Sequence, residues 1–330
     1  MIGRAPLRPR LVRTSLIALC LLLAAQGCGS DPSPDASKAS PSDELIAKVA
    51  SYDIAVGKQR FLAGLITQDQ RQVGWGSVVM KFAYLGTQSQ QLTGEVVAEA
   101  TAGYLPIPAE LGKPAPEPKE GPTLVPGAEG RGVYAAEVNF DKPGFWGVVV
   151  EAAVDGGKPQ QGRAAFEVLD KHRYPSVGED APRTENLTAA SADAPRAAID
   201  SRAGLNDGAM PDEPLHQMTV AAAIASGKPT LLVVSTPVYC ISRFCGPVTD
   251  AVQELSQEYA DGANFIHVEV WRDFQNKEVN RGAADWVLRD ENILEPWVWL
   301  IGADGKIAAR WDNVATRQEM EPALKALLSA

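Results

Sequence analysis

Basic residues, histidine, cysteine and long apolar runs are all scarce in this chain. Lysine and arginine number 31 against 41 acidic residues, a formal charge of −10, and the imbalance grows once the arginine-bearing N-terminus is removed. So acidic a chain offers no electrostatic footprint for nucleic acid or for anionic lipid headgroups, and no nucleic-acid partner is expected. The apolar run at residues 16–25 is too short to cross a bilayer. With three histidines and four cysteines, neither a metal nor any other cofactor is expected. What is plentiful is apolar content, 45% of 330 residues, which is enough to bury more than one core and makes two domains the natural division.

Arg4, Arg8, Arg10 and Arg13 precede the short apolar run, and Ala25-Gln26-Gly27-Cys28 follows it. The pattern reads as an export signal. The tetrad resembles a bacterial lipobox, although Gln26 departs from the usual second position. The resemblance implies a signal peptide at 1–28, lipidation of Cys28, and a protein held by a lipid anchor on the extracytoplasmic face of the cell membrane. Cleavage without lipid, near Ala25 or Gly27, is the alternative. Residues 29–44, rich in Pro, Ser and Asp, cannot repay their ordering entropy and read as a disordered tether. Cys20 lies in the signal, so only Cys240 and Cys245 remain in the folded part. In an oxidising compartment two thiols five residues apart should bridge, or cycle through a bridge.

Residues 45–170 read as short strands at 60–66, 78–85, 133–140, 146–152 and 164–169, with apolar side chains alternating and turn signals at Asp141-Lys142-Pro143-Gly144 and Asp155-Gly156-Gly157. This predicts an all-β sandwich of immunoglobulin-like size. Asp141-Lys-Pro-Gly-Phe-Trp-Gly147 and the stretch 53–61 resemble the corner and opening strand of exported bacterial Ig-like modules, a resemblance that implies fold and no activity. Residues 106–130 read as an exposed loop. The region has no histidine, and its one methionine, Met80, reads as core. Residues 171–214, polar and rich in Ala, Asp and Pro, read as a linker. Its Asn186-Leu187-Thr188 sequon reads as an accident of composition.

Residues 215–330 carry the order β-α-β-α-β-β-α. An apolar strand at 230–235 leads into Cys240-Ile-Ser-Arg-Phe-Cys245-Gly-Pro247, and an amphipathic helix follows. An Asp304-Gly305 turn joins two later strands. The region resembles the thioredoxin fold over nearly its whole length, closest to the exported TlpA/ResA-like group. The matching pieces are Gly227-Lys-Pro-Thr-Leu-Leu-Val-Val-Ser, a cysteine at the strand-to-helix junction, and Pro296 before a strand. An α/β thioredoxin-like domain is implied, with Cys240 as nucleophile, Cys245 as its partner and Pro296 as a cis-proline facing them.

The family's Cys-x2-Cys is here Cys-x4-Cys. On a helix, residues five apart face about 140° from each other, and a bridge needs Cα atoms within about 7 Å. A helix beginning near Ile241 would turn the two cysteines apart, whereas a helix capped at Gly246 with Pro247 first would leave both in a loop, free to bridge. The helix N-terminus and Arg243 would favour a Cys240 thiolate, and Tyr239 and Trp297 are placed beside the groove by adjacency.

Several functions compete. The leading one is thiol-disulfide exchange with exported thiol or disulfide proteins. Thr236-Pro-Val-Tyr-Cys-x4-Cys also resembles the site of Q-type peroxiredoxins, with one residue too many before the cysteine, Leu232 where a proline belongs, and Pro296 where an arginine opens the later strand. A copper carrier of the Sco kind would need a distant histidine. His172 lies in the linker, His267 reads as a core or edge residue, and Met210, His216 and Met218 form only a scattered soft-ligand set. Finally, the cysteines are compatible with a permanent staple in a binding module. Glu295 and Asp250 read as solvated surface.

Overall fold

The structure is a computed structural model that describes residues 44–87, 94–108, 117–126 and 131–329. The signal peptide, Cys28 and residues 29–43 lie outside the described residues.

Nine strands come first: β1 (Glu44–Val49), β2 (Gly57–Ile66), β3 (Gln72–Gly74), β4 (Ser77–Gly86), β5 (Val96–Ile107), β6 (Thr123–Val125), β7 (Arg131–Phe140), β8 (Gly144–Ala152) and β9 (Gln160–Val168). Because side chains alternate along a strand, Val78, Met80 and Phe82 of β4 and Trp146, Val148 and Val150 of β8 enter one core with Phe61, Phe140 and Phe166. One layer runs β9-β8-β4-β5 and the other β1-β2-β7, with β5 shared. From Val96 to Gly103, β5 pairs with β4; from Gly103 to Ile107 it pairs with β7. At the opposite side β1 is antiparallel to β2 and parallel to β9, so the ring of seven strands closes. The strands that the alternation missed are β1, β3, β5 and β6. Along the first half of β5, Val96 to Thr101 are exposed or half-buried, so no apolar stripe marks it. The stretch 106–130, expected as a loop, starts inside β5 and contains β6, while residues 109–116 and 127–130 lie outside the described residues.

The rest of the chain holds α1 (Val220–Ala225), β10 (Thr230–Ser235), α2 (Cys245–Tyr259), β11 (Asn264–Glu269), the small hairpin β12 (Trp271–Asp273) and β13 (Glu278–Val279), α3 (Arg281–Val287), a second small hairpin β14 (Leu288–Arg289) and β15 (Asn292–Ile293), then β16 (Trp297–Ile301), β17 (Ile307–Asp312) and α4 (Arg317–Leu328). The sheet order is β11-β10-β16-β17, with β10 parallel to β11 and antiparallel to β16. That order and those directions make the region thioredoxin-like. Leu232, Val234, Trp297 and Trp299 face one core, and Leu231, Val233, Val298 and Leu300 face the other. Burial on both faces is why β10 and β16 read as unbroken apolar runs.

Residues 171–214 differ most from expectation. The stretch expected to be a linker lies against the thioredoxin-like sheet, with Tyr174, Ala181, Ala198, Ile199 and Ala203 buried. Pro175 O accepts the Trp299 indole N–H at 3.0 Å, Thr184 Oγ1 accepts that of Trp286 at 3.1 Å, and Ala181 N–H donates to Gly305 O at 2.9 Å. The buried residues are mostly small and aperiodic, so composition alone reads as linker. Asn186 is buried too, its Oδ1 accepting Val220 N–H at 2.8 Å at the start of α1.

Sandwich and thioredoxin-like regions touch within one compact unit. Arg60 of β2 donates to Val314 O at 2.7 Å and to Glu319 at 2.8 Å. Leu62, Ile107 and Val133 pack with Val314 and Phe244, and Phe244 belongs to the cysteine loop.

Candidate functional site

Strand β10 ends at Ser235, and the chain runs through Pro237 and the cysteine loop before α2 begins at Cys245. Arg243 takes a left-handed φ of 64°, which turns the chain just before the helix. The helix thus starts one residue before Gly246, close to the second of the two arrangements considered from sequence, and the cysteines form a disulfide with Cα atoms 6.0 Å apart. Cys245 is fully buried, whereas Cys240 is only partly buried. Of the pair, Cys240 is the sulfur a second molecule can reach.

The hydrogen bonds favour charge on that same sulfur. Cys240 Sγ accepts the backbone N–H of Cys245 at 3.3 Å, from the first residue of α2, and lies 3.3 Å from Ser242 Oγ. Both donors would hold a thiolate after reduction, reinforced by the positive end of the helix. Below them, Thr249 Oγ1 donates to Cys245 O at 2.8 Å and pairs with Ser235 Oγ at 2.7 Å, which ties α2 to the end of β10.

The Glu295–Pro296 peptide is cis, as the resemblance implied. Register places it: Val234 of β10 pairs with Trp297 of β16, so the start of β16 lies beside the loop that follows β10. A Glu295 carboxylate oxygen and the two sulfurs all lie within 4.8 Å of one another. Glu295 is therefore part of the site and not the solvated surface residue expected from sequence. Burial, with a smaller contribution from the Glu269 charge, pushes its carboxyl up to about 7. A sequence signal existed, a glutamate directly before the one proline expected to be cis.

The remaining predicted residues fall in several places. Tyr239 stacks on Phe274, ring centroids 4.1 Å apart, at the rim of the loop. Ile241 is 93% exposed beside Cys240. Arg243 is exposed and its charge is felt by Arg131 of the sandwich. Trp297 is 1% exposed and stacks on Trp299 at 5.2 Å, with Tyr174 on it at 5.0 Å, so it is core and not groove. Tyr52, from the segment before β2, donates its hydroxyl to Glu295 O at 2.7 Å and so ties the sandwich to the cis-proline turn. Sequence reasoning missed that contact because the two residues lie far apart in the chain.

Two groups among the described residues have donors close enough for a metal ion: Cys240, Cys245 and Glu295, and, in the interior, Asp200, His216 and His267. His172, the third histidine, instead pairs with Asp53 at 3.1 Å.

No protein-family model and no curated protein matches this chain. Among solved structures, it is similar to a thiol:disulfide interchange protein of the thioredoxin family from Chlorobium tepidum TLS, with 15% identity, 34% of this chain and 86% of that chain covered, and a TM-score of 0.25.

Proposed function

We propose that this protein is a thiol-disulfide oxidoreductase in which Cys240 and Cys245 cycle between dithiol and disulfide. The observation that carries the reading is the asymmetry of the pair: one reachable sulfur on the helix N-terminus, one buried sulfur, and a carboxylate of raised pKa beside both. In the reducing direction the Cys240 thiolate attacks a partner disulfide, forming a mixed disulfide and releasing one partner thiolate. Glu295 takes the proton of Cys245, whose sulfur then attacks Cys240 and expels the second partner thiolate. Two electrons leave the pair and two reach the partner. Oxidation of a partner dithiol is the same path reversed.

The exposed Ile241 and the Tyr239–Phe274 stack suit an apolar stretch of an exported polypeptide as partner. The sandwich is read as an Ig-like spacer or docking module, and the Cys28 lipid anchor would hold the whole on the extracytoplasmic face of the membrane.

The deciding measurement is the reduction potential of the pair in the full chain, equilibrated in glutathione buffers with thiols counted by mass spectrometry. A reversible two-electron couple above about −270 mV is expected for an exchange site. A bridge that stays closed below about −300 mV would make the pair a staple and end this reading.

A further inference from the structure

Below the cysteine loop, three side chains that the thiol chemistry does not use meet in the interior. Asp200 stands at the start of the 3-10 turn Ser201–Leu205, His216 ends the turn Glu213–His216, and His267 lies in the middle of β11; all three are 0% exposed. Asp200 Oδ2 is 3.3 Å from His216 Nε2 and 3.4 Å from His267 Nδ1. The three donor atoms lie within 4.8 Å of one another.

The proton positions make this meeting unusual. His267 Nε2 lies 3.4 Å from the Ser235 carbonyl oxygen, an acceptor only, so that nitrogen carries the hydrogen. The lone pair of Nδ1 is then aimed at a carboxylate oxygen, and Nδ1 is among the buried atoms with no hydrogen-bond partner. Facing lone pairs at this distance take a shared cation, either a proton on Nδ1 or a metal ion, and the metal is the one that also engages His216, whose Nε2 lies against the same oxygen. A carbonyl fixing the far nitrogen of an imidazole is also how metal-binding histidines are oriented.

Charge points the same way. Arg202 is the cation on Asp200, at 2.7 Å, and it also faces Asp212 at 2.7 Å and Asp250 at 3.4 Å. Buried Glu269 adds a further acid, accepting Ser201 N–H at 2.9 Å. At 2.7 Å from both, Arg202 is shared between the carboxylates of Asp200 and Asp212. The spacing fits as well, since a tetrahedron with zinc–nitrogen and zinc–oxygen bonds of about 2.0–2.1 Å has edges of roughly 3.3–3.4 Å.

We propose that Asp200, His216 and His267 form a buried site for one divalent transition-metal ion of the zinc class, which ties the 200–216 segment to β11 beneath the cysteine loop. Two imidazoles and a carboxylate are ligands that zinc accepts, and Arg202, bonded to both Asp200 oxygens, holds the carboxylate in direction. The site stands whether or not the cysteine pair cycles.

The test uses the full chain, refolded with zinc chloride or cobalt(II) chloride and freed of unbound metal, with metal counted by mass spectrometry. One equivalent is expected in the wild type and in the double variant Cys240→Ser, Cys245→Ser, with a melting temperature that rises with metal. His216→Gln and His267→Gln, checked for folding by circular dichroism, should each lose it. Metal lost with the serines and kept by the histidine variants would move the site to the thiols and overturn the proposal. Should the histidine variants not fold, the cobalt spectrum of the serine variant decides. Visible bands of nitrogen and oxygen ligation are expected, and a spectrum without them overturns the site.

Discussion

A carboxyl group that titrates near neutrality beside two sulfurs can serve as the proton acceptor that the buried cysteine needs. Glu295 has that position, and its pKa of about 7 has a consequence for stability whose sign is fixed. The folded value lies above the ordinary 4.5, so the folded state holds the proton more tightly. The contribution is fully present below about pH 4.5 and is lost as pH rises through about 7. In urea titrations of the oxidised protein, wild type should therefore lose roughly 2–3 kcal/mol relative to Glu295→Gln between pH 4.5 and 8. In exchange assays with a disulfide substrate, the same variant should lack the rise in rate around pH 7 and be several-fold slower at pH 8. Identical pH profiles for the two proteins would remove Glu295 from the chemistry. The cysteines and the cis-proline were legible from sequence because motif and neighbours mark them. Glu295 was marked only by its place before that proline, and it is the pairing of Val234 with Trp297 that sets this turn beside the cysteine loop.

At the scale of elements, strands and helices with strong periodicity were legible, as β10, α2, β16 and α4 illustrate. Elements whose burial comes from partners distant in sequence were not. The 171–214 segment shows why: helix α1, expected from the sequence over 218–225 and found at Val220–Ala225, is capped by Thr219, whose Oγ1 accepts Ala222 N–H, and takes a second cap from Asn186, far back in the expected linker. The same asparagine backs onto α3, where a Cβ at Gly282 would come within 2.6 Å of Asn186 Cα. One residue thus locks the 171–214 segment against two helices. Asn186→Ala leaves the Val220 N–H buried without its acceptor, and chemical denaturation should show a loss of about 1–3 kcal/mol. A change within a few tenths of a kcal/mol would mean that the segment is held by its other contacts alone.

At the scale of the whole molecule, a division into sandwich, linker and thioredoxin-like domain omits contacts that the third part needs. The indole N–H groups of Trp286 and Trp299 donate to Thr184 Oγ1 and Pro175 O, Tyr174 covers Trp297, and the Val238 N–H at the mouth of the cysteine loop donates to Ser201 Oγ at 3.2 Å. Every one of those partners precedes residue 215. Cutting there would expose apolar surface and leave two buried indole donors without acceptors, each worth about 1–3 kcal/mol, in a domain whose total stability is of order 5–15 kcal/mol. A fragment of residues 215–330 should accordingly show no cooperative thermal transition by near-ultraviolet circular dichroism, while 171–330 should regain one. The sandwich then adds a smaller increment through Arg60 and Tyr52, so the full chain should melt higher than 171–330. A cooperative transition in 215–330 at the temperature of the full chain would contradict this, and the segment would be a covering and not part of the core. The redox pair also rests on that segment through Ser201, so its potential should be measured in the full chain, where the loop keeps its support.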